Sequence, residues 1–128
     1  MLVLLAGMML AGCATPDTIA TRKQERYGGY SALTPEQRAL VDSGQLAAGM
    51  SMDAVYIAWG KPGQTASGGN EAGRSTTWFY YGGYIDEVRY WGYRSPHYAY
   101  ANRTYVRAQV TFVNGIVKQW QTFPQPAY

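Results

Sequence analysis

The sequence predicts an α+β domain in which two short helices precede three strands. Three observations predict it. The segments 34–44 and 51–60 carry complete start and stop signals for helices. The segment 104–112 alternates apolar and polar residues. Asn114-Gly115 then separates it from a second short run of strand character, which is the arrangement of a hairpin.

The first helix opens at Thr34, with Pro35 at the first helical position and Gln37 at the third, which makes a capping box. Leu40 and Val41 supply apolar contacts, and Gly44 stops it. The second helix has Ser51 as its N-cap and Asp53 in its first turn, where a negative charge opposes the helix dipole favourably. Met50 and Val55 are placed to clamp its start. Met52, Val55, Tyr56 and Trp59 define the expected buried face, and Gly60 followed by Pro62 ends the helix.

The polar, Gly-rich stretch 61–74 is expected to be a loop. The β-branched and aromatic run 75–81 is expected to be the first strand, ended or bent by Gly82-Gly83. In the next strand Val106, Ala108, Val110 and Phe112 should face the core, and 116–121 is its hairpin partner. A three-residue loop, Val113-Asn114-Gly115, would set the large Trp120 over the small Ala108 on one buried face. Trp78 and Trp120 are therefore expected to form the aromatic part of the sheet's core.

The N-terminal stretch concerns location. An apolar run ends in Leu10-Ala11-Gly12-Cys13, which holds the only cysteine of the chain. Small residues before a cysteine resemble the lipobox of bacterial lipoproteins, and the run is too short to span a bilayer. The resemblance implies that residues 1–12 are a signal peptide, that Cys13 carries lipid, and that the membrane is reached through that lipid. Ala14, rather than Asp, follows the cysteine, which by analogy with sorting in many Gram-negative bacteria favours the outer membrane. Residues 13–33 read as a flexible tether, with Arg22, Lys23 and Arg26 along it. What remains, 34–123, suits one small domain.

The pattern Gly49-Met50-Ser51, Val55, Gly60-Lys61-Pro62, then Thr77-Trp78-Phe79-Tyr80, then Val110-Thr111-Phe112 and Gly115-Ile116-Val117 resembles the BamE (SmpA/OmlA) family of outer-membrane lipoproteins. The resemblance covers about 33–122. It implies two helices packed on a three-stranded antiparallel sheet. It also implies a non-enzymatic role beside the machinery that inserts β-barrel proteins into the outer membrane. The stretch 82–103 is longer and richer in tyrosine than that pattern and is expected to be an insertion.

Candidate chemistry is sparse. His97 is the single histidine, and no second soft ligand accompanies it for zinc. Asp86 and Glu87 are adjacent, so on an extended chain they point to opposite faces. Gly63–Gly73 lacks the Lys-Ser/Thr ending of a phosphate loop. No cofactor motif appears. The net charge of +3 is too small and dispersed to indicate a nucleic-acid partner. The stretch around 84–100 stands out instead. Tyr84, Arg89, Tyr90, Trp91, Tyr93 and Arg94 are the residue types that dominate protein interfaces. Two interpretations remain open: a lobe that binds an envelope protein, a glycan or a peptide, or an elaborated connection whose aromatics pack on the sheet. A connection of this length without function is uncommon in compact domains.

Overall fold

The computed structural model describes residues 17–92 and 94–126. Cys13, the segment 1–12 and Tyr93 lie outside the described residues. Among the described residues the chain forms α1 (Ile19–Glu25), α2 (Tyr27–Ser31), α3 (Pro35–Asp42), α4 (Met52–Trp59), β1 (Gln64–Asn70), β2 (Gly73–Trp91), β3 (Pro96–Val113) and β4 (Ile116–Thr122). The strands make one antiparallel sheet in the order β1-β2-β3-β4. The α+β class matches the sequence expectation, but the sheet has four strands rather than three.

The two expected helices form for the expected local reasons. The Thr34 hydroxyl accepts from the Gln37 amide, and the Gln37 side chain accepts from the Thr34 amide. Ser51 accepts from the Ala54 amide at 3.2 Å. Gly60 adopts φ +87°, which a side chain rarely tolerates, and ends α4. The buried face of α4 differs from the expected one. Ala54, Val55, Ile57 and Ala58 are buried, whereas Tyr56 is half-exposed. The reason lies upstream, in residues expected to be a loose tether.

From Asp17 onward that segment is part of the domain. Helices α1, α2 and α3 all pack on α4, which shares the core with Tyr80, Ala108, Val110, Phe112 and Val117 of the sheet. A helix covered on two sides needs apolar residues around most of its girth. Arg22 of α1 is buried at the junction. Its Nε donates to the Ile57 carbonyl at 2.9 Å and its Nη2 to the Ala58 carbonyl at 3.3 Å, while Nη1 pairs with Asp17 at 2.7 Å. Helix ends leave carbonyls without partners, and a cation there also opposes the dipole. Arg26 reaches Asp53, Tyr56 donates to Glu25, and Lys23 pairs with Asp42.

The loop expected over 61–74 contains β1. Every residue of β1 is exposed, so no apolar pattern marks it. It is held by its backbone pairing with β2 across a Glu71-Ala72 turn, where the Asn70 side chain accepts from the Ala72 amide at 2.8 Å. The β3–β4 turn also departs from expectation. It is the two-residue Asn114-Gly115, both at positive φ (54° and 80°), with Val113 opposite Ile116. Lys118 is left over as a bulge, so Trp120 pairs with Val110, not Ala108. Trp120 is 40 % exposed and lies outside the core. Tyr80 stands opposite Ala108 instead, and Trp78 meets Phe112 edge-on with ring centres 4.8 Å apart.

Thermal and urea unfolding test this arrangement. Arg22→Ala strips two helix carbonyls of a charged donor and should destabilise by about 2–4 kcal/mol. Trp78→Ala should cost about 2–3 kcal/mol, and Trp120→Ala under about 1 kcal/mol. A near-wild-type melt for Arg22→Ala would return 17–33 to the status of a loose tether.

Tyr80 gives a test by pH. Its hydroxyl donates to the Gly60 carbonyl at 2.8 Å, and burial pushes the phenol well above its ordinary value. Its folded-state contribution is therefore complete below about pH 10 and is lost as pH rises toward the folded value. Tyr80→Phe should cost about 1 kcal/mol at neutral pH. The gap from wild type should narrow in melts above about pH 10; a gap independent of pH would contradict the burial.

Candidate functional site

The stretch expected to be an insertion between strands is a continuation of the strands themselves. β2 and β3 pair without a break from Tyr81–Val106 to Trp91–Pro96. β1 ends its pairing at Phe79 and β4 at Ala108, so beyond these points two strands run on alone. At about 3.3 Å per residue the ribbon is roughly 35 Å long. Its end is closed by Gly92, whose amide donates to the Ser95 carbonyl at 3.0 Å. Arg94 sits in that turn at φ +76°.

A bulge at the base decides which way the ribbon's side chains point. Tyr80 pairs with Ala108, but Tyr81 pairs with Val106, so Arg107 is passed over. Alternation along β2 then keeps Tyr84, Asp86, Val88 and Tyr90 on the face continuous with the buried Tyr80. It puts Tyr81, Ile85, Glu87, Arg89 and Trp91 on the opposite, outer face. Cross-strand partners share a face, so Tyr98 and Tyr100 join the outer set opposite Arg89 and Glu87.

The two faces differ in chemistry. On the inner face most groups are engaged with one another. Tyr84 meets Tyr105 edge-on at 5.9 Å, Tyr90 stacks on His97 at 5.4 Å, and Arg103 pairs with Asp86 at 2.7 Å. On the outer face Tyr81, Ile85, Tyr98, Tyr100 and Trp91 form an exposed apolar stripe, with Trp91 81 % and Tyr100 76 % exposed. The Arg89 guanidinium lies 5.4 Å from the centre of the Tyr98 ring. An exposed stripe of this kind is unusual on a small domain.

The structure therefore divides the sequence-predicted residues. Arg89 and Trp91 belong to the outer stripe. Tyr84 and Tyr90 belong to the inner face, where the first is half-buried. Arg94 is in the turn, and Tyr93 lies outside the described residues. Ile85 and Tyr81 were missed, because neither stands out until strand pairing assigns each residue a face. His97 packs on Tyr90 in the ribbon.

A cleft of about 380 Å³ lies elsewhere. Ala58, Trp59, Ala108 and Phe123 line it beside Arg107 and Thr122, where the end of α4 meets β3 and β4. Among the described residues no three His, Cys, Asp or Glu side chains converge as metal ligands would, and no helix is long and apolar enough to cross a membrane. No protein-family model matches the chain, and no curated protein or solved structure is significantly similar to it.

The division into faces predicts unequal costs in urea unfolding. Tyr84→Ser separates a ring pair and should cost about 1 kcal/mol. Trp91→Ser and Tyr100→Ser should each stay within about 0.5 kcal/mol of wild type. Large losses for the latter two would mean that the stripe is packed rather than exposed.

Proposed function

We propose that this chain is a non-enzymatic, lipid-anchored envelope protein whose ribbon is its contact arm for a protein partner. The observation that carries the reading is the outer stripe of Ile85, Trp91, Tyr98 and Tyr100 with Arg89 among them. Aromatic and Arg side chains are the usual anchors of protein interfaces. Here they are presented on paired strands, so few backbone degrees of freedom would be lost on binding.

The BamE resemblance supplies the finer part of the proposal: an outer-membrane lipoprotein, facing the periplasm, that assists the barrel-insertion machinery or envelope integrity. The succession α3, α4, β2, β3, β4 follows the helix, helix, strand, strand, strand order of that pattern, with α1, α2 and β1 as additions. If Cys13 carries lipid, residues 14–16 are all that separate it from Asp17, which is already paired with Arg22. Such a link spans at most about 14 Å. The helical layer would then ride close to the bilayer, and the ribbon would be the part able to reach other proteins.

Affinity purification of the native protein from solubilised envelopes tests this. Wild type should bring down barrel-insertion subunits. The combined variant Ile85→Ser, Trp91→Ser, Tyr98→Ser and Tyr100→Ser should keep its melting temperature but recover them roughly thirtyfold less, as expected for losing about 2 kcal/mol of interface anchors. Equal recovery by the variant would refute the contact arm. Mass spectrometry of the same material should find acylated Cys13; an unmodified Cys13 at the end of a processed chain would refute the anchor.

A further inference from the structure

The ribbon has two long edges, and they differ in charge. β1 covers β2 only as far as Phe79, and β4 covers β3 only from Ala108. Among the described residues no third strand runs along the ribbon. A two-stranded ribbon is marginally stable alone, and a long strand edge is a template for another strand. The β3 edge begins at Pro96 and carries Arg103 and Arg107 with no acidic residue. The β2 edge reads Ile85-Asp86-Glu87-Val88-Arg89-Tyr90-Trp91 and carries both signs. Asp86 is already paired with Arg103 on the inner face. Glu87 and Arg89 are exposed on the outer face, one on each side of Val88. Among the described residues Glu87 has no ion-pair partner.

We propose that the β2 edges of two copies of this chain pair antiparallel about a twofold axis at Val88. Opposite residues in an antiparallel pair share a face, so under a twofold axis one residue faces its own copy. That condition leaves few registers. An axis at Asp86, Glu87 or Arg89 sets like charges against each other, which is destabilising. An axis at Ile85 drives Trp91 against Phe79 of the other copy, where Gln64 of β1 is already paired. An axis at Tyr90 leaves only Arg89–Trp91 to pair before the strand ends. The axis at Val88 pairs the whole of Ile85–Trp91. It sets Glu87 opposite Arg89 and Ile85 opposite Trp91, and the symmetry makes each pair twice. Opposite charges and an aromatic beside a branched apolar side chain are favourable cross-strand partners. The sequence on either side of Val88 is therefore complementary to itself, as a twofold interface requires. Edge-to-edge pairing leaves the outer faces open and joins the two stripes side by side, so it stands independently of what that face contacts.

Sedimentation equilibrium of the full chain in detergent, over a concentration series up to about 1 mM, tests the pairing. Wild type should pass from monomer to dimer. Glu87→Lys and Arg89→Glu each set like charges opposite one another and should weaken the dimer at least roughly tenfold. The two substitutions together restore opposite charges and should recover it. All three variants keep Ile85, Trp91, Tyr98 and Tyr100, so loss of the dimer is read apart from loss of a protein partner. Oxidation tests the register in a full chain carrying Cys13→Ser. Val88→Cys should form a covalent dimer, because facing residues lie about 4.5–5.5 Å apart, within reach of a disulfide. Ile85→Cys should not, because its own copy lies about 20 Å away along the strand. A chain that stays monomeric throughout, a dimer indifferent to both single charge changes, or equal oxidation of Val88→Cys and Ile85→Cys would overturn the proposal.

Discussion

The last turn of α4 holds this molecule together. Its carbonyls at Ile57, Ala58 and Gly60 point past the end of the helix, where no intrahelical donors exist. Arg22 supplies donors to the first two and Tyr80 to the third. One donor comes from the N-terminal helix and the other from the sheet, so a single helix end ties three layers into one body. The cost of burying a guanidinium is offset by Asp17, by the two carbonyls and by the negative end of the helix dipole. Without that junction, α1 and α2 would have little reason to fold. They are seven and five residues long, too short to persist alone.

The same junction fixes where the ribbon begins. Tyr80 is the last residue of β2 tied to the helical layer, and the bulge falls between it and Tyr81. The extra residue, Arg107, resets the pairing on β3. From there the inner face keeps ring pairs and an ion pair that stiffen the two strands, while the aromatics without such a covering collect on the outer face. Packing at the base thus decides which side chains lie on the exposed face of the ribbon some 35 Å away.

What could be read from the sequence was whatever is encoded locally. Thr34, Gln37, Ser51 and Gly60 mark helix ends within a few residues, and each holds its place in the structure. The alternation of Ala108, Val110 and Phe112 likewise survives. Features that depend on distant partners were not legible. β1 has no apolar residue facing a core and exists through backbone bonds to β2. Arg22 looks like one of several basic tether residues until the carbonyls of α4 are placed beside it. The two-residue turn and the Lys118 bulge together set Trp120 opposite Val110 rather than Ala108, at the edge of the sheet. At the candidate site the composition of 84–100 was informative, but its two faces were not. A shift of one residue at the base would exchange Tyr84 for Ile85 on the outer stripe.

The central claim is that one face of the ribbon, and not the other, meets a partner. Photo-crosslinking in native membranes tests it most directly, with a photoreactive residue placed in turn at Tyr100, at Trp91 and at Tyr84. Tyr100 and Trp91 lie on the exposed face, whereas Tyr84 lies against Tyr105. The account predicts the same crosslinked protein from Tyr100 and Trp91 and little or none from Tyr84. Equal crosslinking from all three positions, or crosslinking from Tyr84 alone, would contradict it.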